Sequence, residues 1–199
     1  MLTKTAGACV LLVFAASGAA RAEDDDVVNS INEGMEFYQK GDYAEATTSL
    51  NYAVQLIQQK KGASLEALLP GPLDGWTAQP AESQSTGAAA MFGGGVSAER
   101  RYSKDAGQLL VRIVTDSPLL QSIMMMFSNP MFVTAGGGTM ERIGKQKAVV
   151  KYDPASRSGD LQIVVNNRFL VTVEGNGVNR DDLLAYARAV DLNKLTAFP

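Results

Sequence analysis

The sequence contains no histidine and one cysteine, Cys9. Without histidine there is no imidazole base, no Ser-His-Asp triad and none of the usual zinc or copper sites. Cys9 lies in an apolar run, residues 8–16, that follows the single early charge of Lys4. The run is short for a bilayer span, which takes roughly 20 apolar residues. Small residues then lead to Ala20-Arg21-Ala22, an A-x-A cleavage signal. Residues 1–22 are therefore expected to be a signal peptide, cut after Ala22 to leave a periplasmic protein that begins at Glu23. The alternative is an uncut membrane anchor. Cleavage removes Cys9, so the exported chain is expected to have no disulfide, no thiolate nucleophile and no Cys metal ligand.

Charge is scarce in some stretches and uneven overall. The full chain carries a net charge of −3, and loss of Lys4 and Arg21 takes it to −5. Residues 23–90 hold 11 acids and 3 bases, whereas residues 91–199 hold 10 acids and 13 bases. Such asymmetry predicts two parts with different surfaces. The basic excess of the second part is too small, and too mixed with acids, to predict nucleic-acid binding. The acidic run Glu23-Asp24-Asp25-Asp26 reads as a solvated terminus that helps to cap the first helix.

Residues 27–59 show helical periodicity broken once, at Gly41-Asp42. The pattern predicts a helix pair over 28–40 and 43–59. Gly34, Phe37, Gly41, Tyr43, Ala46, Leu50 and Ala53 stand at the spacing of a tetratricopeptide repeat. The string from Tyr38 to Ala46, YQKGDYAEA, closely resembles that family. The resemblance covers about 30 of the 199 residues, with no second copy and with Gln58 near the place of the usual closing proline. It implies a helical hairpin in which small residues at 34, 46 and 53 allow close approach, while Phe37, Tyr43 and Leu50 fill the gap. A lone repeat cannot bury both its faces, because such units normally stack in threes or more. It is expected to pack on its own C-terminal domain, on another subunit or on a partner, with Phe37, Tyr38 and Tyr43 as contact residues.

Residues 68–95 read as a hinge and loop. Pro70 and Pro72 favour an extended chain. Trp76, the only tryptophan, is expected to plug the edge of the next core. Residues 79–95 are rich in Ala, Ser, Gln and Gly and read as a surface loop.

From residue 96 the pattern changes to strands. A hairpin is expected over 100–104 and 109–115, around Asp105-Ala106-Gly107. An apolar helix follows over 119–127, ended or kinked by Asn129-Pro130. Further strands are expected over 139–143, 146–153 and 160–166, the last turning through Asn166-Asn167 into 169–174. Asn179 is expected to cap a final helix with Asp181 and Asp182 in its first turn. Together these predict an α+β domain over 96–199, an antiparallel sheet of about five strands with helices on one face.

Four candidates for chemistry stand in the sequence. Met124-Met125-Met126, with Met131 near, carries thioethers that can hold Cu(I). Consecutive helical residues point about 100° apart and cannot all face one ion. With Phe127 beside them they read instead as core or partner packing, membrane-surface contact being a further option. The second, Gly136 to Gln146, has the look of a phosphate loop. Five residues separate Gly138 from Gly144 where four are needed, and Gln146 replaces the required Ser or Thr. The third is the set of carboxylates Asp116, Asp153 and Asp160, which read as strand-ending and turn residues. The fourth, the acidic run, could hold a cation weakly. No cofactor or metal is expected.

The sequence thus points to a non-enzymatic periplasmic protein that binds another protein or assists assembly. The partner is expected to be another envelope protein or a second copy of the chain, held through the helical hairpin or the Met-rich helix. A carrier of an apolar ligand or lipid would instead need an enclosed apolar cavity. A hydrolase using carboxylates alone would need two of them in one cleft.

Overall fold

A computed structural model describes residues 25–85, 95–115, 117 and 119–198. The signal-peptide reading of residues 1–22 and the reading of Asp116 lie outside the described residues.

Helix α1 spans Asp26–Lys40 and α2 spans Tyr43–Glu66. The Asp25 side chain caps α1 by accepting from the Val27 N–H at 3.2 Å. It also meets Lys60 Nζ at 2.8 Å, and these two donors hold its carboxyl below the usual carboxylate range. Gly41 ends α1 at φ +80°, where its own N–H and that of Asp42 reach back to Tyr38 and Phe37. That left-handed conformation suits glycine, which has no Cβ to clash. Asp42 then caps α2. Helix α2 runs seven residues past the expected end at 59. Its added turns carry Leu65 into the main core, and Gly62 packs tightly under Ser83: a Cβ there would stand 2.8 Å from Ser83 Oγ. Packing against the sheet thus outweighs the weak helix propensity of Gly62.

The sheet comprises β1 (Thr77–Ala78), β2 (Glu82–Ser85), β3 (Val96–Lys104), β4 (Gly107–Thr115), β5 (Thr139–Ile143), β6 (Gln146–Asp153), β7 (Ser158–Val165) and β8 (Phe169–Asn176). Its order is β1-β3-β4-β8-β7-β6-β5, with β2 also paired to β3, and every pairing is antiparallel. Among the described residues there are eight strands rather than about five. The extra ones include β1 and β2, in the segment read as hinge and loop, which pair with successive stretches of the β3 edge.

Four more helices complete the fold: α3 (Leu119–Ser128), α4 (Pro130–Ala135), α5 (Arg180–Ala189) and α6 (Leu192–Thr196). The expectation of helices on one face is corrected. Side chains alternate across a strand. Ala148 and Val150 of β6 join Leu183, Tyr186 and Leu195 in the main core, with Leu65 of α2. Val149 between them packs on the other face with Phe127 and Val133 of α3 and α4. Helices therefore cover both faces, and the second carries its own small core. Beyond α3 and α4 that face carries an ion-pair group, Arg112 pairing with Glu99 at 2.9 Å and lying 3.8 Å from Glu174.

The 68–76 segment is docked rather than loose. The Pro70 carbonyl accepts from Tyr102 Oη at 2.6 Å and from Arg100 Nη1 at 3.1 Å. Trp76 is 9% exposed and stands edge-on to Tyr186 at 5.2 Å between ring centres. Tyr186 in turn lies 4.4 Å from Tyr102. Burial is the main cause that pushes both phenols above their ordinary 10.0. The folded state therefore holds these protons more tightly than the unfolded chain does. Their contribution is complete below the unfolded value near pH ~10 and is lost as pH rises from there through the higher folded value. The urea midpoint is expected to be level from pH 8 to about 9.5 and to fall above pH ~10, less steeply in Tyr102→Phe. An identical fall in that variant would remove Tyr102 from the cause.

Candidate protein-interaction site

The helical hairpin is built from two seams on each helix. The inner seam of α1 is Val27, Ser30, Gly34 and Phe37, and that of α2 is Ala46, Ser49, Ala53 and Leu56. Most of these are small and buried, and they face each other. The approach is close, for a Cβ on Gly34 would stand 2.8 Å from Leu50 Cγ. Ser49 Oγ donates to Glu33 across the pair at 3.1 Å.

One residue further on lies a second seam. On α1 it is Val28, Ile31, Met35 and Tyr38; on α2 it is Tyr43, Thr47, Leu50, Val54 and Ile57. Each follows the 3-4-3 spacing of a heptad stripe. A step of one residue turns about 100° round a right-handed helix. The helices run antiparallel, so the same step turns both outer seams to the same side of the hairpin. The result is one continuous apolar face. The ring pair Tyr38–Tyr43, with centres 5.7 Å apart, closes it at the turn end. Its eight large apolar side chains are between 36% and 65% exposed. Nothing but α2 packs substantially against α1 among the described residues. The opposite side of the hairpin is polar, with Asp26, Asn29, Glu33, Glu36 and Tyr52 lining one recess.

The expected contact residues divide accordingly. Tyr38 and Tyr43 lie on the outer face, while Phe37 is half-buried on the inner seam. Tyr43 was expected to fill the gap between the helices; it stands outside it, against Tyr38. Leu50 does reach Gly34 yet keeps much of its surface exposed. Sequence reading missed Val28, Ile31, Met35, Val54 and Ile57. Their signal was a second apolar stripe one residue from the first.

Helix α3 splits its residues in the same way. Phe127 is buried with Val133 and Val149, Met124 is half-buried, and Met125 is 71% exposed. The Met126 side chain lies outside the described set. The space between α3 and the sheet is filled by Phe127, Val133 and Val149, with Ile123, Met140 and Val164 around them. Beside it is a recess of about 400 Å³, lined by Lys145, Lys147 and Asn167 as well as by Met124 and Phe127. A recess with that mixed lining differs from the enclosed apolar pocket that a lipid carrier uses.

The remaining candidates take local structural roles. Residues 136–146 form the end of α4 and the β5–β6 hairpin, with Gly137 at φ +74° and Gly144 at φ +58°. Asp153 accepts from Ser156 Oγ at 2.8 Å and from the Ala155 N–H at 2.9 Å, and these bonds hold its carboxyl below the usual range. Asp160 meets Gln162 at 3.2 Å. Among the described residues no three His, Cys, Asp or Glu side chains gather as metal ligands, and no helix is long and apolar enough to cross a membrane. Compared with known proteins, the chain matches no family model, no curated protein and no solved structure.

Proposed function

We propose that this chain is a non-enzymatic periplasmic protein that works by binding another protein, as a partner-holding or assembly-accessory factor. Its N-terminal hairpin serves as a single tetratricopeptide-like unit. One observation carries the reading: a continuous, solvent-exposed apolar face on the hairpin. Monomers seldom leave so much contiguous apolar surface in water, and larger patches mark interaction sites. The exported setting rests on the A-x-A signal at residues 20–22.

The test is crosslinked capture from envelope extracts, with the purified protein and with Met35→Lys as a surface control. A specific partner is expected with the former and not with the latter. Sequencing the N-terminus of the secreted protein should give Glu23. Recovery of the intact chain from soluble cytoplasm would sink the export reading.

A further inference from the structure

We infer that a second copy of this chain covers the outer face of the hairpin, so that α1 and α2 of each copy stack as two layers of a two-fold symmetric four-helix bundle. This rests on the reading of that face as an interaction surface, and it names the partner. Three observations lead to it.

The first is size. At ordinary residue areas the eight exposed side chains leave roughly 700 Å² on this one face, above the ~300–600 Å² of the largest patch on a typical monomer and close to the ~800 Å² per partner of a standard interface. A single docked peptide would cover the groove between the helices and leave part of each stripe wet. A second two-helix layer of the same length covers both stripes.

The second is charge. The rim of the face is formed by the residues one step beyond the outer seams: Asn29, Asn32, Glu36 and Gln39 on α1, and Ala44, Thr48, Asn51, Gln55 and Gln58 on α2. Only Glu36 among these nine is charged. Between Tyr43 and Gln59 the only charge is Glu45, at the edge of the polar side. The hairpin is acidic, yet Asp26 and Glu33 stand away from the apolar face. A foreign partner of an acidic element is normally selected by basic groups that meet an acidic rim. A two-fold contact sets every rim residue against the same surface, so like charges would repel. A rim with one charge among nine residues leaves a two-fold contact little like-charge repulsion.

The third is geometry. The base of α2, at Gly62 and Leu65, packs on the sheet, whereas the Gly41-Asp42 turn lies at the far end, roughly 28 Å away at 1.5 Å per residue. A two-fold axis running across the helices, in the plane of the face, sets each helix antiparallel to its own copy. It also places the two sheets at opposite ends of the bundle, where they do not collide. Such antiparallel neighbours are the ordinary arrangement of four-helix bundles.

The experiment is sedimentation equilibrium of the purified protein from about 1 to 100 µM, a span that brackets micromolar affinities. The protein is compared with Met35→Lys, with Val54→Lys and with Tyr52→Lys on the polar side. All three positions are about half exposed, so each variant chain should still fold, which far-UV circular dichroism checks. The wild type and Tyr52→Lys should sediment at twice the chain mass. Met35→Lys lies near the middle of the face, close to the axis, where the new charge confronts its own copy, and Val54→Lys sets a charge against the apolar face of the other copy. They should weaken the dimer by about 100-fold or more, since apposed like charges strongly disfavour a contact. A wild type that is monomeric throughout, or a dimer indifferent to both face variants, overturns the inference. If the monomeric wild type still captures an envelope protein that Met35→Lys loses, the binding role stands and only the second copy falls. If neither effect is seen, both fall.

Discussion

Phe127→Asp should unfold the protein, while Met125→Asp, two residues earlier on the same helix, should leave its melting temperature within about 2 °C of wild type, as surface changes of ±0.5 kcal/mol do. The helix is uncharged from end to end, and its residue types alone do not say which side faces the sheet. The structure does. Phe127 is 9% exposed and belongs to the small core with Val133 and Val149, both almost fully buried. Removing a buried phenyl ring alone costs about 3–5 kcal/mol. An aspartate in its place also drives a carboxylate against the buried Val133 and Val149, which is costlier still. That sum is comparable to the whole stability of a domain, about 5–15 kcal/mol. Met125 points the other way, and an aspartate there stays hydrated. Far-UV circular dichroism and thermal melts of both variants settle the orientation. A folded Phe127→Asp protein would mean that α3 is not packed on the sheet. A second set of variants, Met124→Leu and Met125→Leu, separates packing from metal binding, because these changes nearly conserve volume but remove the thioether donors.

The sheet was legible where alternation and turn chemistry agreed. Strands β5 and β6 begin and end where the pattern put them, because Gly144 can adopt the positive φ of a tight turn and the flanking residues alternate. Asn166 and Asn167 take φ of 53° and 52°, as an Asn-Asn hairpin turn requires. Asn179 caps α5 with Asp182 completing a capping box. The misses have physical reasons. Thr77-Ala78 and Glu82 to Ser85 have no alternating pattern of their own, and only the edge of β3 makes them strands. Asn129-Pro130 was read as the end of a helix. It is also the start of the next, with Asn129 accepting from the Met131 N–H at 3.1 Å and Pro130 in the first turn. Proline suits that position because its missing N–H would have no helical partner.

The candidate surface was half legible for a related reason. The repeat-like spacing picks out Gly34, Phe37, Ala46 and Ala53 of the inner seam, but it also takes in Tyr43 and Leu50, which belong to the outer one. Tyr38 and Tyr43 could be singled out as large aromatic residues beside the turn. The remaining outer residues are ordinary aliphatics that a core would also use. Only the antiparallel pairing turns two separate stripes to one side, and pairing is a tertiary fact. In α3 the sequence named Met124, Met125 and Phe127 together, yet packing on the sheet sends Met125 to solvent and Phe127 inward.

The largest effect on how the hairpin is held should come from Tyr186→Ala. This ring is fully buried and ties three elements together. Its hydroxyl accepts from the Leu73 N–H at 3.3 Å, its edge meets Trp76, and its face tilts onto Tyr102, which in turn donates to the Pro70 carbonyl. The linker between α2 and β1 is thus fixed by an aromatic stack rather than by regular secondary structure. Deleting the ring removes buried area and leaves a cavity, at a cost of about 3–5 kcal/mol. For a chain of this size that corresponds to a fall of about 10 °C in Tm. Tyr186→Phe keeps the ring and loses only the acceptor, leaving the Leu73 N–H unpaired at about 1–3 kcal/mol. Trp76 supplies the readout, since it is the only tryptophan and sits in the stack. Its emission should shift to the red in folded Tyr186→Ala, as water reaches the indole, and should stay in place in Tyr186→Phe. An unshifted emission together with an unchanged Tm in Tyr186→Ala would show that the linker is held without this ring. The angle at which the hairpin offers its apolar face would then have to be set by Gly62 and Leu65 alone.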